Sequence, residues 1–108
     1  MKILVGTGNS ITATFSVSAK TLTFAGAYNF DIVPENITVW NTTRSAFMLG
    51  ETGTATCTVA YTNVAGLPVQ TVTLSALPAS SADGDSLVIF LEIPNDVAIY
   101  NAIVNNAV

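Results

Sequence analysis

The chain contains no histidine, a single cysteine and, among 108 residues, only three basic and seven acidic side chains. Each shortage removes a class of function. Histidine is the side chain whose charge changes near neutral pH, and it is the usual general base and metal ligand. One cysteine, Cys57, leaves no partner for an intrachain disulfide. Lys2, Lys20 and Arg44 are the only cations, and the formal net charge is −4. Nucleic-acid binding needs several basic groups on one face to neutralise phosphates, which three scattered ones do not supply. Long apolar runs are missing too, since no stretch approaches the roughly 18 residues of a membrane span. The opening Met1-Lys2-Ile3-Leu4-Val5-Gly6 falls short of the roughly 7–15 apolar residues of a signal-peptide core, so no export leader is predicted.

What is present is apolar and strand-forming. Hydrophobic residues make up 50 % of the chain and charged ones 9 %, against roughly 25 % charged in ordinary soluble domains. Disorder from low hydrophobicity is excluded. The length suits one domain with little core to spare, and a surface so poor in charge invites association. The composition is that of a chain built to assemble rather than to react. It resembles an extracellular β protein without an address for leaving the cell. A component that assembles in the host cytoplasm and meets the outside after lysis satisfies both conditions, which points to a virion.

Period-two alternation dominates the pattern. Ile11, Ala13, Phe15 and Val17 alternate with Thr12, Thr14, Ser16 and Ser18, and Leu22 and Phe24 continue the series opposite Thr21 and Thr23, as a half-buried strand requires. Gly26 interrupts it, and the stretch from Tyr28 to Asn36, with Pro34, reads as a strand end and turn. Residues 37–41 form a further strand, joined through Thr42-Thr43-Arg44-Ser45 to Phe47-Met48-Leu49 as a hairpin. Residues 54–62 alternate again, residues 63–68 connect, and residues 69–77 supply another strand. After a small-residue loop over 78–85 comes Leu87-Val88-Ile89-Phe90-Leu91, apolar on both faces. Such a strand is either central and covered on each side or buried at a subunit contact. The tail from Asn95 to Val108 fits a short helix, with Val97, Tyr100, Ile103, Val104 and Ala107 near helical spacing, or an extended arm. These strands at short spacing predict an all-β fold: an antiparallel β-sandwich, or a Greek-key or jelly-roll-like barrel, with that helix or arm at its C-terminal end.

Few residues offer chemistry. Asp83-Gly84-Asp85 is the one closely spaced carboxylate pair; its oxygens suit part of a calcium site, but glycine between aspartates is what a tight turn wants. Cys57 falls with Ala55 and Val59 on an apolar face and reads as a small buried hydrophobe; no histidine is there to activate it as a nucleophile. The sequons at Asn36 and Asn41 are chance products of an Asn- and Thr-rich chain. The pairs Thr12/Thr14, Thr21/Thr23 and Thr71/Thr73 and the triplet Thr54/Thr56/Thr58 lack the regular period of an ice-binding solenoid and read as polar strand faces. Trp40, Tyr28, Tyr61 and Tyr100 read as packing residues rather than a carbohydrate platform. No catalytic residue, metal site or cofactor is expected.

A resemblance adds to this reading. Thr71-Val72-Thr73-Leu74, the turn Ser80-Ser81-Ala82-Asp83-Gly84-Asp85-Ser86 and the strand Leu87-Val88-Ile89-Phe90 resemble small structural proteins of tailed bacteriophages. Ile37-Thr38-Val39-Trp40-Asn41-Thr42-Thr43-Arg44 resembles the strand and Asn/Thr-rich turn that precedes them there. The likeness covers roughly residues 30–93 and implies a β module of the virion. The resulting expectation is a non-enzymatic capsid-associated or decoration subunit, with residues 1–93 as the sandwich and 94–108 packing on a partner subunit. Its partners would be sister copies and other virion proteins of the capsid, neck or tail, with no nucleic acid and no membrane. Leu87, Ile89, Phe90, Leu91, Ile93, Val97, Tyr100, Ile103 and Val104 are the expected contact residues. A receptor- or glycan-binding module of a fibre or adhesin is the alternative.

Overall fold

A computed structural model describes residues 2–26, 30–51, 53–64 and 67–93. Among them the chain forms eight strands: β1 (Lys2–Leu4), β2 (Thr12–Ser16), β3 (Thr21–Ala25), β4 (Ile37–Asn41), β5 (Ala46–Leu49), β6 (Cys57–Val64), β7 (Leu67–Leu74) and β8 (Leu87–Glu92). A 3-10 turn at Pro34–Asn36 precedes β4. The strands make two four-stranded sheets, A in the order β1-β8-β4-β5 and B in the order β2-β3-β7-β6. Every pairing is antiparallel. This is the predicted β-sandwich; the sheets stay separate, so the barrel alternative is not what forms. The predicted tail over 94–108 lies outside the described residues.

Side-chain alternation places one face of each sheet in the core. Leu22 and Phe24 from β3, Val72 and Leu74 from β7, Val39 from β4, Met48 and Leu49 from β5, and Ile89 and Leu91 from β8 are all buried. Each such side chain contributes roughly 1.5–3 kcal/mol on burial. Two amides sit among them. Gln70, 1 % exposed, accepts from the Ile32 amide at 2.7 Å and donates to the Phe30 carbonyl at 3.0 Å. It thereby ties the approach to β4 onto β7, which satisfies polar groups that burial would otherwise penalise.

Four boundaries differ from the sequence reading, the first being that β6 begins at Cys57 rather than at residue 54. The alternation over residues 11–24 is not one strand but the β2–β3 hairpin, turning through residues 17–20 with Lys20 at φ 56°. The four-residue turn switches the inward side from odd to even positions, so Phe15 is followed on that face by its partner Leu22. The predicted connection over 63–68 is mostly strand, because β6 runs to Val64 and β7 resumes at Leu67. Pro68 is tolerated there because β3's pairing with β7 stops at Val69, leaving β7 one neighbour at that point. At its other end β7 stops at Leu74, not residue 77. Gly26, at φ 123°, closes β3 where a Cβ would run into the Ser10 carbonyl oxygen.

Candidate functional site

The two outer faces of the sandwich differ in chemistry. On sheet B the register aligns Thr14, Thr23, Thr71 and Ala60 in one row, Ser16, Thr21, Thr73 and Thr58 in a second, and Thr12, Ala25, Val69 and Thr62 in a third. Threonine pairs from four strands therefore tile one face, and no charged side chain interrupts the three rows. On sheet A the outward positions are Leu4, Val88, Phe90, Thr38, Trp40 and Phe47. Trp40 and Phe47 meet edge to face with centroids 4.8 Å apart. Lys2 lies with its ammonium 5.6 Å from the Phe90 ring centroid, and its cross-strand neighbour is Glu92. The apolar centre thus has one charge of each sign at its rim.

Among the expected contact residues, Ile89, Leu91 and Ile93 are at most 5 % exposed in the core of the chain itself. They belong to the core of this chain, because β8 is central in sheet A and alternation turns them inward. Leu87 is half-buried against the same core. Phe90 stands on the outer face, joined by Val88, so the apolar run over residues 87–91 reflects a core on one side and an outer apolar patch on the other. Val97, Tyr100, Ile103 and Val104 lie outside the described residues.

Asp83 and Asp85 act as loop staples. Asp83 Oδ1 accepts from the Val17 amide of the β2–β3 turn at 2.7 Å. Asp85 is held by both Nε and Nη2 of Arg44, at 3.1 and 3.0 Å, by Nδ2 of Asn41 at 2.9 Å and by the Ala82 amide at 3.1 Å. Its side chain is 2 % exposed. The Arg44 hydrogen bonds foremost, then that of Asn41, hold its carboxyl down at about 2. Asn41 also accepts from the Arg44 amide at 3.0 Å. Two carboxylates flanking one glycine therefore fasten the β2–β3 and β4–β5 turns to the loop that leads into β8, and Asp85 spends its oxygens on four donors. No group of three His, Cys, Asp or Glu residues able to hold a metal occurs among the described residues.

Cys57 does lie on the inward face with Ala55 and Val59, half-buried rather than enclosed, because β6 is an edge strand. Desolvation, and then the charge of Glu35, push its thiol up, the opposite of what a nucleophile needs. Of the aromatics read as packing residues, Trp40 packs on sheet A while Tyr61, 57 % exposed, stands on β6 of sheet B, so these two share no platform. Tyr28 and Tyr100 lie outside the described residues. Sequence reasoning missed the buried amides Asn41 and Gln70; a polar residue at an inward-parity position, such as Gln70 in the series with Val72 and Leu74, was the available signal.

No family model, curated protein or solved structure matches this chain.

Proposed function

We propose that this protein is a non-enzymatic structural subunit of a tailed-phage virion, capsid-associated or decorating, that works by burying uncharged faces against sister and shell subunits. The observation that carries the reading is the placement of charge. Asp31, Glu35, Glu51 and Asp83 are exposed in turns and loops, while the central positions of both outer sheet faces are uncharged. Acidic copies can approach face to face without their like charges meeting. The apolar face of sheet A supplies a hydrophobic driving force proportional to the area covered, at about 25 cal/mol per Å². Asp85, locked to Arg44, and Cys57, its thiol raised, offer no reactive group. Light scattering over a concentration series tests the reading: a defined oligomer, or a monomer that binds stoichiometrically to shell subunits, is expected. A monomer that binds no shell protein but retains a sugar on a glycan array would overturn it in favour of the receptor- or glycan-binding alternative, which draws on Trp40, Phe47 and Phe90 sharing one face.

A further inference from the structure

Sheet A is missing half of an edge strand. β8 has six residues, but β1 has three and pairs only with Phe90, Leu91 and Glu92. Beyond Leu4 one more bond follows, from the Val5 amide to the Ile89 carbonyl at 2.9 Å. The chain then turns away at Gly6, φ 85°, where Asn9 Oδ1 receives the Gly6 amide. No strand among the described residues pairs with Leu87 or Val88 on that side. In an antiparallel strand, alternate residues direct their backbone groups to the same side. The Ile89 carbonyl points toward β1, whereas the Ser86 carbonyl accepts from Thr42 on the β4 side. Leu87 therefore aims its amide and carbonyl into the open position.

Beneath that position the sandwich is open. A groove of about 420 Å³ runs between the sheets, lined by Val5, Ile11, Ala13, Phe15, Leu87 and Ile89, with Asp83 and Asp85 also on its wall. Ala13 has inward parity, pairing with core residue Phe24, yet it is exposed because no described residue covers this seam. Unpaired backbone groups above an uncovered apolar groove are what an added strand satisfies, its backbone completing the ladder and its alternate side chains filling the groove.

We propose that residues 97–104 of a neighbouring copy fill this position by strand addition, an inference that rests on the assembly reading above and names its contact. Three observations favour that occupant. Its sequence, Val97-Ala98-Ile99-Tyr100-Asn101-Ala102-Ile103-Val104, is rich in β-branched and small apolar residues, suited to a strand with a buried face. Residues 97–108 carry no charged side chain, so the acidic wall at Asp83 does not repel them. The 15 residues from 94 onward follow Ile93 at the opposite end of β8, and extended they reach up to about 50 Å. That is more than twice the roughly 20 Å length of β8, enough to leave one subunit and cross to the next.

The test uses the full chain. Ala13→Trp fills the groove from an exposed position and should weaken self-association at least tenfold by light scattering, with the thermal unfolding midpoint held close to that of the parent. Independently, chains carrying Ala13→Cys are mixed with chains carrying Ile99→Cys, both in a Cys57→Ser background, and oxidised. The heterodisulfide should form at least tenfold faster than with Thr14→Cys, which lies on the opposite face of β2. Equal rates for the two positions overturn the proposal. So does an intrachain disulfide between the two introduced thiols in a doubly substituted chain that stays monomeric. An oligomer whose mass Ala13→Trp leaves unchanged also overturns it, while leaving the assembly reading intact.

Discussion

Sheet A and sheet B both supply one face to the core but present opposite outer faces. Sheet B shows rows of threonine with small apolar neighbours; sheet A shows Leu4, Val88, Phe90, Trp40 and Phe47. Both are free of central charge, so low charge alone does not mark a contact surface. Hydroxyls keep their hydrogen bonds to water and gain little by being covered, whereas aromatic and branched side chains gain with every Å² removed from water. Sheet A also has an open half-strand position beside β8, while in sheet B the central strands β3 and β7 are paired along most of their length. The contact surfaces are accordingly expected on sheet A.

The strongest way to break that comparison is to charge each face in turn. Trp40→Glu with Phe90→Glu should weaken self-association at least about hundredfold, or about 2.7 kcal/mol, in sedimentation or light scattering. Thr23→Lys with Thr71→Lys, cross-strand neighbours on sheet B, should change association by less than about threefold and stability by about 1 kcal/mol or less. Equal losses from both faces would sink the distinction.

Of similar size, but acting on folding, is Gln70→Ala. Removing this amide leaves the buried Ile32 amide without its acceptor, and a loss of about 2–3 kcal/mol is expected in denaturant unfolding. A near-neutral result would show that water reaches the site.

The mildest effect concerns pH. Asp85 is held at about 2 against an ordinary value of 3.8, so its ionised form binds Arg44 and Asn41 more favourably in the folded chain. That contribution is complete above about pH 4 and is lost as pH falls through about 2. Thermal unfolding of the parent should therefore lose stability relative to Asp85→Asn between about pH 4 and pH 2, the two curves converging at the acid end. Parallel curves would mean the Arg44 pair does not stabilise the fold.

The sandwich itself was legible because alternation is a local property. Thr12 to Phe15, Leu22 and Phe24, and Ile37 to Asn41 each announce an inward and an outward side without knowledge of a neighbour, and the hairpin through residues 42–45 follows from its turn residues. Boundaries were less legible where turn and strand share residue types: Asn63 and Pro68 look like a loop and lie in a ladder. The candidate site shows the same limit. Phe90 stands on an outer face, but Ile89, Leu91 and Ile93 were grouped with it because an apolar run does not say which of its two faces has the core.

By itself, then, the order of residues determined the β class, the alternating faces, the poverty of charge and the absence of histidine chemistry, all of which depend on composition or on spacings of two. Tertiary structure alone decided that threonine pairs far apart in the chain share one lattice. It also brought Asp83 and Asp85 to two different turns, and left Leu87 facing an open half-strand position above Ala13. Those features arise from strand order and register, and register is set by long-range pairing between segments whose separation along the chain says nothing about their distance in space.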